Sequence, residues 1–105
     1  VDFGIYSSDG TQLMHTGATV LAGGTAPQVV DVTDKYYGAG NYFMAIAQNG
    51  TTAGLSAQTF ANAGFDDMFG IFQQATAYPL PAVATFAHPT FTYVPVIGFT
   101  ARTVF

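Results

Sequence analysis

The chain has 105 residues, enough for one domain around one hydrophobic core, and half of them are apolar. Only 8% are charged against an average of about 25%, and Lys35 and Arg102 stand against six aspartates for a net charge of -4. That balance excludes intrinsic disorder and a basic nucleic-acid stripe, and the lack of Cys excludes disulfides, thiolate metal sites and a Cys nucleophile.

The chain opens without Met and inside an alternating pattern, Val1-Asp2-Phe3-Gly4-Ile5, so a piece of a longer protein is expected. The alternation predicts a strand that buries one face, the face of Val1, Phe3 and Ile5. Asp9-Gly10 tolerates the positive φ angles of a tight hairpin, and Gln12 to Thr16 is the return strand with Leu13 inward. Thr19 to Leu21 and Gln28 to Val32 read as two further strands across the Gly23-Gly24 loop. Asn41 to Gln48 is apolar on both faces, which predicts a central strand, and Asn49-Gly50 is a second hairpin signal. Residues 51 to 67 read as a long loop or a poor strand, and Met68 to Gln73 regains strand character. Tyr78-Pro79-Leu80-Pro81 is extended and unfit for a central strand. A last strand runs from Tyr93 or Val96 to Val104.

Helix formers are scarce, with no Glu and a single Lys, whereas Val, Ile, Thr, Tyr and Phe abound. The expected fold is all-β, a single antiparallel Greek-key β-sandwich or jelly roll over 1–105 with about seven to eight short strands. Tyr37-Gly38-Ala39-Gly40-Asn41-Tyr42 has the layout of a tyrosine corner, with Gly40 allowing the turn and the Tyr42 hydroxyl bonding upstream backbone.

Catalytic signals are weak. Ser7, Ser8, His15 and the aspartates hold the atoms of a hydrolytic triad, but no Gly-x-Ser-x-Gly elbow presents a serine. Ser7-Ser8-Asp9-Gly10 is more economically a hairpin tip. Asp66-Asp67 lack the spacing of a calcium loop and read as a solvated turn, and His15 and His88 cannot make a zinc site alone. His15 reads as strand surface, and His88-Pro89 as a turn. The glycine pairs lack the Lys-Ser/Thr of a phosphate loop. A non-enzyme without cofactor or metal is expected. No apolar run approaches the ~18 residues of a spanning helix, so membrane insertion is not expected either.

Binding is a different matter. Tyr36, Tyr37 and Tyr78 fall in predicted loops near Asp34, Asn41 and Gln28, the residue types that stack on and hydrogen-bond a sugar. The same rings serve equally well in contacts between protein copies.

Three blocks carry a family resemblance. Phe3-Gly4-Ile5-Tyr6-Ser7-Ser8-Asp9-Gly10-Thr11-Gln12-Leu13 resembles the opening hairpin of the β-sandwich domains that end tailed-bacteriophage fibre and adhesion proteins. Val29 to Asp34 followed by Gly40 to Ala45 resembles their strand, corner and central strand. Pro79 to Ala82 with Tyr93 to Phe99 resembles their closing segment. Together the blocks cover about half the chain; the usual Pro before the corner Gly is replaced by Ala39, and residues 51 to 75 match nothing.

The resemblance implies an extracellular virion component such as a tail fibre, spike, or head-fibre or decoration protein. It implies a homotrimer that meets other virion proteins and binds a host surface glycan. Two basic residues mean two tryptic sites and little for salt to screen, which suits such a particle. The alternative is a carbohydrate-binding module of a secreted protein, monomeric and with a convergent aromatic platform. A third option is a minor capsid or pilus-like subunit in which Val1 to Tyr6 pairs with another chain.

Overall fold

The computed structural model describes residues 1–24, 26–50, 55–59, 62–75 and 78–100. Its elements are β1 (Asp2–Ser7), β2 (Gln12–His15), β3 (Tyr42–Ala47), β4 (Ala57–Thr59), α1 (Ala63–Met68) and β5 (Tyr93–Pro95). A three-stranded sheet has the order β2-β1-β3 and a two-stranded sheet joins β4 to β5, every pair antiparallel. The fold is all-β.

β1 and β2 form the hairpin that Asp9-Gly10 announces. Asp9 accepts from the Thr11 N–H at 3.0 Å and from the Ser7 hydroxyl, and the Gly10 N–H reaches the Ser7 carbonyl at 3.0 Å. These bonds hold the Asp9 carboxyl below its usual value, the Ser7 bond most of all. Gly10 has φ of 91°, and a Cβ there would stand 2.8 Å from the Ala84 carbonyl oxygen. Gly10→Ala is therefore expected to cost about 1–3 kcal/mol from backbone strain and steric conflict together. An unchanged thermal melt would show that the turn has room the geometry denies.

Val1 is buried as expected, at 8% exposure, but from Asp2 onward the buried face of β1 is the reverse of the expected one. Asp2, Gly4 and Tyr6 are buried, at 0% and 1% exposure for the two side chains, while Phe3 and Ile5 are only half-buried. The cause is the segment Tyr78–Ala84, which lies across that face. Leu80 sits over the bare Cα of Gly4, where an added Cβ would meet Leu80 Cδ1 at 2.7 Å. The Tyr6 hydroxyl donates to the Pro81 carbonyl at 2.6 Å, and Gln12 Nε2 to the Leu80 carbonyl at 3.1 Å. Backbone bonds from Gln12 N to Ala82 O and from Ala84 N to Gly10 O, both 2.8 Å, complete the attachment. Tyr6, Ala47 and Leu80 form the core, with Phe43, Ala45, Tyr78 and Ala84 packed against it.

A β-bulge decides what β2 shows to this segment. Ile5 pairs with Met14 but Tyr6 pairs with Gln12, which leaves Leu13 unopposed. Gln12 and His15, three apart, thereby fall on one face instead of opposite ones. Leu13 is half-buried.

Other expectations change. β3 lies at an edge of the described sheet, with β1 at the centre, so Val1 to Tyr6 has neighbours on both sides instead of a free edge for another chain. Residues 19–21 and 28–32 form no strand. Val20 and Val29 are 87% and 90% exposed, and the Gln28 side chain closes the loop by bonding Ala22 N and Val20 O. β-Branched residues without a neighbouring strand have nothing to pair with.

Within 51–67 the described residues hold the short, exposed strand β4, which fits the poor strand expected there, and most of α1, which was not expected. Asn62 Oδ1 accepts from the Gly64 N–H at 3.0 Å, the bond of a helix N-cap, and Gly70 with φ of 75° follows the helix end. Asp66 and Asp67 therefore lie on a helix, not in a turn. Met68 belongs to that helix, and Gln73 makes a single bridge with Ala87 where a strand was expected. The last strand is β5, shorter than predicted, and its expected end at 101–104 lies outside the described residues, as does whatever follows Asn49-Gly50 at 51–54.

Candidate functional site

Two features beside β2 have the makings of a site. The first is a carboxylate cluster. Asp2 accepts from Gly17 N at 2.9 Å, Leu80 N at 3.0 Å and the Thr16 hydroxyl at 3.4 Å, and its Oδ2 lies 3.0 Å from His15 Nδ1. Burial pushes the Asp2 carboxyl up, but the bonds from His15, Leu80 and Gly17 outweigh it and hold the group below its usual value. A lowered carboxyl contributes stability that is complete above the unfolded value near ~4 and is lost as pH falls through the folded value. The melting temperature is thus expected to hold steady from pH 7 to about 5 and fall steeply below about 4. Asp2→Asn should start lower and lose less on acidification. Parallel acid profiles for the two proteins would assign the acid loss to other carboxyls.

The second feature is a groove of about 510 Å³ between the end of β2 (Met14, His15, Thr16) and the segment Asp31–Lys35. Lys35 helps hold its far wall in place, because its ammonium donates to the Leu13 carbonyl at 2.9 Å. Asp34 lines the groove with Asp31, and the next aromatic in the chain, Tyr36, is 84% exposed. Carboxylates, threonine hydroxyls and an imidazole in one open groove can hydrogen-bond a polyhydroxylated ligand.

The remaining candidate residues go elsewhere. Tyr37 is half-buried with its ring 5.6 Å from Tyr42 and the Lys35 ammonium 6.0 Å from its centroid. Its hydroxyl is buried without a hydrogen-bond partner among the described residues, and burial raises its pKa, with Tyr42 adding to the effect. Tyr78 packs against Tyr6, Ala47 and Leu80, so the core takes up its ring. Asn41 is exposed at the start of β3. The Tyr42 hydroxyl donates to the Gly38 carbonyl four residues upstream, and Gly40 has φ of 159°.

His15 and Asp2 form a pair that sequence reasoning missed, since His15 reads there as strand surface. Ser7 does not join them. It bonds Asp9 at the hairpin tip, three residues along β1 from the Gly4 that faces His15, or about 10 Å of strand. Among the described residues no group of three or more His, Asp or Glu side chains is placed to hold a metal ion. No described helix is long and apolar enough to cross a membrane.

Comparison with family models finds none that matches this chain, and comparisons with curated proteins and with solved structures find no match either.

Proposed function

We propose that this chain is a structural component of a bacteriophage virion, a tail fibre, spike, or head-fibre or decoration protein, that works by assembling with copies of itself. In this reading it is the C-terminal β-sandwich or jelly-roll part of a longer extracellular protein. It forms a homotrimer, meets other virion proteins and touches a host surface glycan through its loops. It needs no cofactor and performs no catalysis.

Surface area is the observation that carries the assembly part. The chain exposes 7651 Å², whereas a compact monomer of this mass exposes roughly 5,600 Å². Val20, Val29, Val83, Val96 and Phe99 are all among its exposed residues. A chain with eight charges and this much apolar surface is better served by burying the excess between copies. Tyr6 of the opening hairpin and Leu80 of the segment Pro79 to Ala82, both within blocks that resemble fibre domains, meet in the packed core. Host attachment falls to the groove, where Asp31 and Asp34 stand close in sequence to the exposed Tyr36.

Light scattering on the intact chain tests the reading. A trimer that survives SDS and trypsin is the expected result. A well-behaved monomer would remove it and favour the carbohydrate-binding module, with glycan binding by Asp34→Ala and Tyr36→Ala variants as the next measurement.

A further inference from the structure

We infer that Asn49-Gly50 is a site of spontaneous covalent modification, where the asparagine is converted to aspartate and isoaspartate. This is independent of the assembly reading and concerns two residues to which that reading gives no task.

The step needs only the chain and water. The Gly50 backbone nitrogen attacks Asn49 Cγ, so a C–N bond forms and the Cγ–Nδ2 bond breaks. The departing NH2 group takes the proton of the Gly50 N–H and leaves as ammonia. Water then opens the resulting succinimide ring at either carbonyl. Opening at the side-chain carbonyl gives aspartate, and opening at the main-chain carbonyl gives isoaspartate, with one extra carbon in the backbone. Glycine obstructs the attack least of all following residues, since it has no Cβ beside the nitrogen.

The structure leaves this pair open to the step. Asn49 and Gly50 are exposed and lie past the end of β3, in no regular element. Among the described residues nothing hydrogen-bonds the Asn49 side chain or the Gly50 N–H. The Gln48 Nε2 donates to the Gly50 carbonyl at 2.6 Å, which leaves the nitrogen free. Gly50 does not take the positive φ of a two-residue hairpin turn, so no such turn fixes the pair.

Asp9-Gly10 is the contrast. It can close the same ring by losing water, but the atoms required are engaged. The Gly10 N–H donates to the Ser7 carbonyl at 3.0 Å, and the Asp9 carboxylate accepts from the Ser7 hydroxyl and the Thr11 N–H. Those bonds favour the ionised carboxylate, a poor target for attack. The other two asparagines are placed less openly. Asn41 precedes Tyr42, whose backbone belongs to β3, and Asn62 Oδ1 accepts from the Gly64 N–H at 3.0 Å. Conversion at Asn49 adds one negative charge to a chain of net charge -4, and isoaspartate lengthens the backbone just beyond Ala47, which pairs with Asp2.

Incubation of the intact chain in mild base, followed by peptide mapping and enzymatic methylation of isoaspartate, tests the inference. An acidic species should accumulate with time, with conversion confined to position 49. It should form more slowly in mild acid, because the attacking nitrogen must give up its proton. Asn49→Gln should abolish it. Gly50→Ala should slow it severalfold without moving the melting temperature, since the added Cβ meets nothing within 4 Å. Conversion of Asn41 or Asn62, or isomerisation of Asp9, at the rate of Asn49 would overturn the inference. So would an Asn49 that stays intact in the native chain, and incubation in urea would then show whether the fold protects it.

Discussion

Asp2→Ala is expected to remove roughly 2–5 kcal/mol of folding stability, enough to unfold a large share of the molecules in a domain with so small a core. The side chain is buried and joins parts of the chain that are far apart in sequence: β1, the turn after β2, and Leu80, 78 residues away. Alanine leaves the Leu80 and Gly17 N–H groups without their acceptor in a place where water reaches poorly. An unmade bond of this kind costs more than the made bond contributes. Asp2→Asn keeps one oxygen but turns an NH2 group toward a donor, so a loss of about 1–3 kcal/mol is expected. Urea unfolding measures both. Equal losses for the two variants would mean that volume matters at Asp2 and hydrogen bonding does not.

Leu80→Ala is expected to cost about 2–5 kcal/mol, the usual range for emptying a buried leucine site. Leu80 is one of few buried apolar side chains among the described residues, and it fills the space that Gly4 leaves open. That contact makes a second measurement possible. Gly4→Ala puts a Cβ 2.7 Å from Leu80 Cδ1 and 2.9 Å from the Met14 carbonyl oxygen, and should cost about 1–3 kcal/mol. In the double variant the leucine conflict is gone while the carbonyl conflict stays. The two losses should therefore fall short of additive by about 0.5–3 kcal/mol. Strict additivity would mean that Leu80 does not lie over Gly4.

The local parts of this fold are legible along the chain. Asp9-Gly10 between two alternating runs specifies the first hairpin, because only a few residue types accept the turn's backbone angles. The strand at Tyr42–Ala47 is visible in a run that is apolar on both faces and opens with two aromatics, and Tyr78–Pro81 shows its extended character through its prolines. Strand content without helix formers suffices for an all-β fold. Asp34 lining a groove and Tyr36 open to solvent follow from a polar, turn-rich segment that no strand claims. α1 has its signals too, in Asn62 and Gly70, but six residues give no periodicity to read.

What faces inward was decided elsewhere. Alternation tells which side chains share a face of β1 but not which face is covered, and Tyr78–Ala84 settles that from the far end of the chain by filling the gap over Gly4. The bulge at Leu13 shifts the phase of β2 by one residue, a change that no local preference encodes because it depends on pairing with β1. Through it His15 comes to the same face as Asp2 and Gln12 comes to Leu80, while the cover of Tyr78–Ala84 makes Asp2 the most buried polar group described. Local sequence thus determined strands, turns and composition, which depend on neighbours a few residues apart. The tertiary structure alone determined burial, register and the Asp2 cluster, since each depends on contacts between residues that the chain keeps far apart.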